Sequence, residues 1–211
     1  DPNKDTAGAK SEPTTKHPFL SDLNVRKALA MAVDRKTMAD QLYGNGLSGV
    51  ATTNIVTAPP QYVSSNTANL DVGKYDLAAA NKLLDAAGWV KGSDGIRAKN
   101  GVPMKIVYQT TVNSLRQKEQ EIVKAGWQQL GIDVTLKTVQ ASVFFSSDAG
   151  NPDTASHFYT DVEMFTNGSS EPDQTAYLGG WVSSQIAAKA NSWDGNNYER
   201  YNSPAYDALF A

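Results

Sequence analysis

The run MKIVYQTTVNSLRQKEQEIVKAGWQQLGIDVTLKT, from Met104 to Thr138, changes its apolar period twice. Met104, Ile106 and Tyr108 alternate with Lys105, Val107 and Gln109, the period-two signature of a strand. From about Ser114 to Leu130 the period becomes helical, with Val123, Trp127 and Leu130 facing inward and Gly131 ending the helix. Ile132, Val134, Leu136 and Thr138 then alternate with Asp133, Thr135 and Lys137 as a second strand. Joints this short make the two strands parallel, joined by a right-handed crossover. The expected architecture is α/β, with helices packed on a mixed sheet.

Working upstream, Asp94-Gly95 and Asn100-Gly101 are turn dipeptides that bracket a short strand at Ile96–Ala98. Ala80, Leu83, Leu84 and Ala87 mark one face of a helix capped by Asp76 and stopped by Gly88. Residues 47–73, centred on Pro59-Pro60, predict an irregular crossing segment. Val25, Ala28, Leu29, Ala32 and Val33 form one helical face behind Ser21 or Asp22. Asp34 caps a second short helix closed by Gly44 and Gly46. Residues 1–16 lack periodicity and predict a mobile or draped leader, 1–16, before a lobe at 17–211. Downstream, a strand is expected at Asp161–Phe165 and a helix at Asp173–Leu178. A last helix is expected behind Ser203 with Pro204 at its first position.

The 211 residues are 40% hydrophobic and 19% charged, with net charge -3 and no basic run, so nothing points to nucleic acid. Cysteine is absent, which removes thiol catalysis and disulfides. His17 and His157, the two histidines, lack metal-ligand spacing and read as surface or loop residues. No apolar run reaches bilayer-spanning length. The apolar Leu209-Phe210 at the end suggests a piece of a longer chain.

Five segments, in order, carry a resemblance. They are HPFLSDLNVRKALAMAVDRKTMADQLYGNG (17–46), YDLAAANKLLDAAGW (75–89), DGIRAKNGVPMKIVYQT (94–110), KAGWQQLGIDVTLKTV (124–139) and YERYNSPAYDALF (198–210). Together they resemble the C-terminal lobe of the family 5 extracellular solute-binding proteins, the peptide- and nickel-type ligand-capturing components of ABC importers. The resemblance implies a periplasmic-binding-protein-like lobe with a mixed β-sheet flanked by helices (type II, dipeptide-binding-protein-like, domain III). It implies a partner N-terminal lobe of the same chain and a membrane ABC permease. It also implies a location in the periplasm or on the outer face of the cytoplasmic membrane, free or lipid-anchored. The implied cargo is a small-molecule solute, a peptide or an oligosaccharide, with no cofactor.

Within the resemblance, DVEMFTNGSSEPDQTAYLGGW (161–181) corresponds to the loop that faces the cleft. Peptide binders of the family place an Asp there against the ligand's amino group. Here that position falls near Asn167-Gly168, and no acid stands there. Thr166, Asn167, Gly168 and Ser169 therefore suit a ligand read by neutral hydrogen bonds, or they are plain turn residues. Asp173 reads as a helix cap. The second candidate, NSWDGNNYERYNSP (191–204), offers Trp193, Asn196, Asn197 and Tyr198 as aromatic faces and amides for a sugar or a peptide backbone. Tyr201 reads as packing, and Arg200 either holds a ligand carboxylate or pairs with Glu199 or Asp207. A solute-binding lobe requires these two loops to flank a common hollow.

Two other classes compete: a sensor or interaction module that borrows the binding fold without transport, and an enzyme such as a hydrolase. The chain has no G-x-S-x-G, P-loop or G-x-G-x-x-G. Its carboxylate pairs, Glu119 with Glu121 and Asp161 with Glu163, are spaced i, i+2, and on a helix that spacing sends the first pair apart.

Overall fold

The computed structural model describes residues 11–44, 73–168 and 173–210. The expected crossing segment at 47–73 lies almost wholly outside them, as do Gly46 and most of the leader. The chain forms two compact units. One comprises residues 1–17, 108–112 and 137–211, and the other residues 18–107 and 113–136.

The second of these is built on helices. α1 (Leu23–Met31) starts at Asp22, whose carboxylate accepts from Asn24 N, and buries Val25, Ala28, Leu29 and Met31. α2 (Arg35–Tyr43) starts at Asp34, which accepts from Thr37 N. α3 (Leu77–Ala86) starts at Asp76, which accepts from Ala79 N, and packs along α1. These caps fall where short polar side chains precede an apolar period, because the first turn of a helix has amide hydrogens with no internal partner. A three-stranded antiparallel sheet follows: β1 (Val90–Lys91), β2 (Arg97–Lys99) and β3 (Val102–Pro103). Its hub is Arg97, 2% exposed, which donates from Nε to Leu130 O, from Nη2 to Asn81 Oδ1, and from Nη1 to Asp85 and Trp89 O.

α4 (Ser114–Gln129) lays Val123 and Trp127 into the core, as its period predicts, and Gly131 ends it at φ +84°. Trp127 Nε1 donates to Leu29 O at 3.0 Å. Burying each such large apolar side chain contributes about 2–3 kcal/mol. Gly126 makes the approach possible, because a Cβ there would lie 2.1 Å from Ala32 O. Trp89 covers the end of α3 and meets the edge of Phe19 at 5.6 Å.

β4 (Lys105–Thr111) and β5 (Asp133–Val139) flank α4 in the chain, and β6 (Val162–Met164) comes later. Their sheet has the order β5-β4-β6. β4 and β6 are parallel, with Tyr108, Gln109 and Thr110 opposite Val162, Glu163 and Met164. Asp133 N donates to Met104 O and Val112 N to Val139 O, so β5 is parallel to β4 as well. The α/β expectation holds; among the described residues the strands form one parallel and one antiparallel three-stranded sheet.

In the other unit a small core of Val139, Phe144 and Ala155 carries Val143, Phe165 and Tyr198 against it. α5 (Ala141–Phe144) follows β5 directly. α6 (Thr175–Leu178) leads into 3₁₀ turns at Gly179–Trp181, Ser183–Gln185 and Lys189–Asn191. α7 (Pro204–Asp207) has Ser203 as its cap, accepting from Tyr206 N. Asp173 accepts from Thr175 N at the start of α6. Ser11, the first described residue of the leader, is buried and donates to Phe158 O at 2.7 Å.

Candidate solute-binding site

Two irregular segments of the first unit approach each other. The first leaves the sheet at Met164, whose carbonyl accepts from Thr110 Oγ1 at 2.6 Å. Phe165 then turns onto Phe144, ring centroids 5.7 Å apart, and Thr166, Asn167 and Gly168 emerge into solvent. Asn167 Oδ1 accepts from Gly168 N, which leaves its Nδ2 without a partner among the described residues. Ser169 lies outside the described residues.

The second segment is pinned by its backbone. Ser192 and Trp193 have φ of +57° and +64°, the left-handed region that non-glycine residues adopt only when their surroundings compel it. Trp193 N donates to Ala188 O and Asn197 N to Gln185 O. A Cβ at Gly195 would meet Gln185 O at 2.3 Å. Asn196 is exposed on this frame, and Tyr198 is half-buried against the Phe144 core. The side chains of Asn196, Tyr198 and Trp181 make no hydrogen bond among the described residues.

The two segments share one hollow of about 300 Å³. Thr166 and Asn167 line it from one side and Asn196 and Tyr198 from another; Phe145, Phe165, Tyr177 and Trp181 supply aromatic wall. A second hollow of about 400 Å³ adjoins it through Phe145, Asn196 and Tyr198, and Trp193 lines its far part. Unengaged amides, a phenol and an indole N–H set among rings offer neutral hydrogen bonds plus apolar area. Burial first, and then the charges of Glu163 and Glu199, push the Tyr198 phenol up, so it stays a neutral donor.

Four sequence readings are corrected. Asn197 is 0% exposed and its amide is consumed internally: Nδ2 donates to the carbonyls of Trp181, Val182 and Tyr201, and Oδ1 accepts from Tyr201 N. It holds the loop and has nothing left for a ligand. Arg200 pairs with neither Glu199 nor Asp207, since Asp207 takes Ser183 N and Oγ. Arg200 instead donates to Tyr198 O, His157 O and Ser156 O. His157 is buried, bonded to Thr154 Oγ1 and Ala149 O, and tilted against Trp193 at 4.5 Å. His17, also largely buried, lies 3.0 Å from Asp161 Oδ1. Trp193 is 8% exposed, so most of its ring is structural and only its edge reaches the second hollow. Among the described residues no cluster of acids and histidines fits a metal ion.

Sequence reasoning passed over Phe145 and Tyr177, and it weighed Glu163 only as a carboxylate paired with Asp161. Phe144-Phe145 sends one ring into the core and leaves the other 57% exposed, a signal present in the sequence as adjacent aromatics on a helical turn. Glu163 Oε1 accepts from Gln109 Nε2 at 3.0 Å and from Thr160 Oγ1 at 3.3 Å, and its buried Oε2 has no partner among the described residues. Burial pushes this carboxyl up to about 8, against the pull of Thr160, Lys137 and Arg200.

Residues 8–189 match the family described as bacterial extracellular solute-binding proteins, family 5 Middle. The chain belongs to that family. Similar relatives include the oligopeptide-binding protein OppA of Lactococcus lactis subsp. cremoris, 34% identical over 120 residues, which are 56% of this chain and 19% of the relative. Protein XP55 of Streptomyces lividans is 32% identical over 117 residues, 55% of this chain and 20% of that protein. Among solved structures, the oligopeptide-binding protein of Thermus thermophilus, complexed with a pentapeptide, is similar at TM-score 0.74 and 25% identity. The match covers 90% of this chain and 32% of that one. NikZ of Campylobacter jejuni, in complex with Ni(L-His), is similar at TM-score 0.67 and 25% identity, over 90% of this chain and 35% of that one. This family 5 chain thus spans about a fifth of the curated relatives it matches and about a third of the solved chains. The family's members are extracellular solute-binding proteins and not enzymes.

Proposed function

We propose that this chain forms one wall of the ligand cleft of an ABC-importer solute-binding protein, gripping a peptide-type solute for delivery to a membrane permease. The observation that carries the reading is the hollow shared by Thr166 and Asn167 with Asn196 and Tyr198. A further lobe of the same protein completes the grip by hinge closure, as in other periplasmic binding proteins. The location that goes with this role is the periplasm or the outer face of the cytoplasmic membrane.

An oligosaccharide is the second reading. The described lining of the first hollow carries no charge and five aromatic rings, which suits sugar faces as well as peptide backbone.

Amide-resolved NMR of the chain with the blocked peptide N-acetyl-Ala-Gln-Ala-amide, and separately with maltotriose, tests both. The peptide is expected to shift Thr166, Asn167, Asn196 and Tyr198. Shifts with maltotriose alone favour the second reading, and silence of these residues with both ligands overturns the proposal.

A further inference from the structure

Asp194 is the one charged side chain among the described residues that line either hollow. Its backbone is fixed: Asp194 N donates to Asn191 O, and the flanking Trp193 and Gly195 hold positive φ. Its carboxylate is exposed and makes no hydrogen bond or ion pair among the described residues. Arg200 bonds to backbone carbonyls and Lys137 pairs with Asp153 at 2.6 Å, so neither neutralises Asp194. Around Asp194 the second hollow presents Phe145, Trp193 and Tyr198 together with the hydroxyl of Ser192.

We infer that the second hollow takes a positively charged group of the solute, an ammonium or guanidinium, with Asp194 as its charge partner. The inference rests on the solute-binding reading and adds to it a division of labour. The first hollow reads neutral, polar and aromatic parts of the ligand, and the second selects a cation. A carboxylate that shares its hollow with the exposed ring of Phe145 suits a cation twice over, through ion pairing and through cation–π attraction. The hydroxyl accepts hydrogen bonds from the same group. In a site half open to solvent the pair gives selectivity more than raw affinity.

The test compares N-acetyl-Ala-Lys-Ala-amide with its uncharged counterpart N-acetyl-Ala-Gln-Ala-amide by NMR titration of the wild-type chain and Asp194→Asn. The wild type is expected to bind the lysine peptide about three-fold more tightly, the yield of one solvent-exposed ion pair. Asp194→Asn is expected to abolish that preference while leaving the glutamine peptide's affinity unchanged. Added salt is expected to weaken only the lysine peptide on the wild type. Equal affinity of the two peptides for the wild type, or a lysine preference that survives Asp194→Asn, overturns the inference. If the glutamine peptide still shifts Asn167 and Asn196 in that case, the solute-binding reading stands without it; if neither peptide shifts them, both fall.

Discussion

The guanidinium carbon of Arg200 lies 5.6 Å from the centroid of the Trp193 ring, whose neighbour at 4.5 Å is His157. The loop that lines both hollows is therefore clamped by a cation and an imidazole that themselves bond only to protein. Burial holds the Arg200 guanidinium down to about 10, still charged at neutral pH. Its planar fork spans the carbonyls of Ser156, His157 and Tyr198, a geometry that a lysine ammonium does not reproduce. Arg200→Lys is expected to lower stability by about 1–3 kcal/mol in chemical denaturation. An unchanged midpoint would contradict the clamp.

Asn197→Ala is expected to cost about 2–3 kcal/mol, because it strands the carbonyls of Trp181 and Tyr201 and the Tyr201 amide, while Val182 O keeps its bond from Gln185 N. Hydrogen exchange is expected to quicken at Tyr201, whose amide hydrogen bond is the one lost. Retention of slow exchange there would show that the loop is held by something else.

The cost of keeping Glu163 buried depends on pH. Its carboxyl titrates near 4.5 when unfolded and at about 8 when folded, so between those values the folded chain holds a proton that the unfolded chain lacks. Stability is therefore expected to fall as pH rises from 4.5 towards 8 and to level off above that. Glu163→Gln is expected to flatten this decline and to be more stable than the wild type at the alkaline end. His157 acts on the acid side: burial lowers its pKa below 6.5, so acidification through that value costs stability. Denaturation midpoints of both proteins across this range check the claim, and parallel curves would contradict it.

Gly126→Ala places a methyl group where Ala32 O stands and is expected to cost about 2 kcal/mol or more, read as a lowered thermal midpoint. A neutral effect would mean that α4 and the end of α1 separate easily.

Much of this fold is legible locally. Asp22, Asp34 and Asp76 cap helices, and Gly88 and Gly131 end them, because caps and left-handed stops depend on neighbours in the chain. The parallel pairing of β4 with β5 follows from short joints around one helix. Burial of polar residues is not local. Asn197 and His157 carry the same side chains as solvent-exposed turn residues, and only the tertiary frame turns them into internal struts. The pairing of the Asn167 and Asn196 segments was readable as two polar-aromatic runs, whereas the contributions of Phe145 and Tyr177 exist only once α5 and α6 bring them alongside.

The most direct measurement is photo-crosslinking of the chain with a benzophenone-bearing neutral peptide, followed by peptide mapping. Adducts are expected within residues 144–147, 165–168, 177–181 and 193–198, competed by unlabelled peptide that is recovered chemically intact. Competable adducts confined to α1, α3 or the β1–β3 hairpin, or a cleaved competitor, would contradict the account.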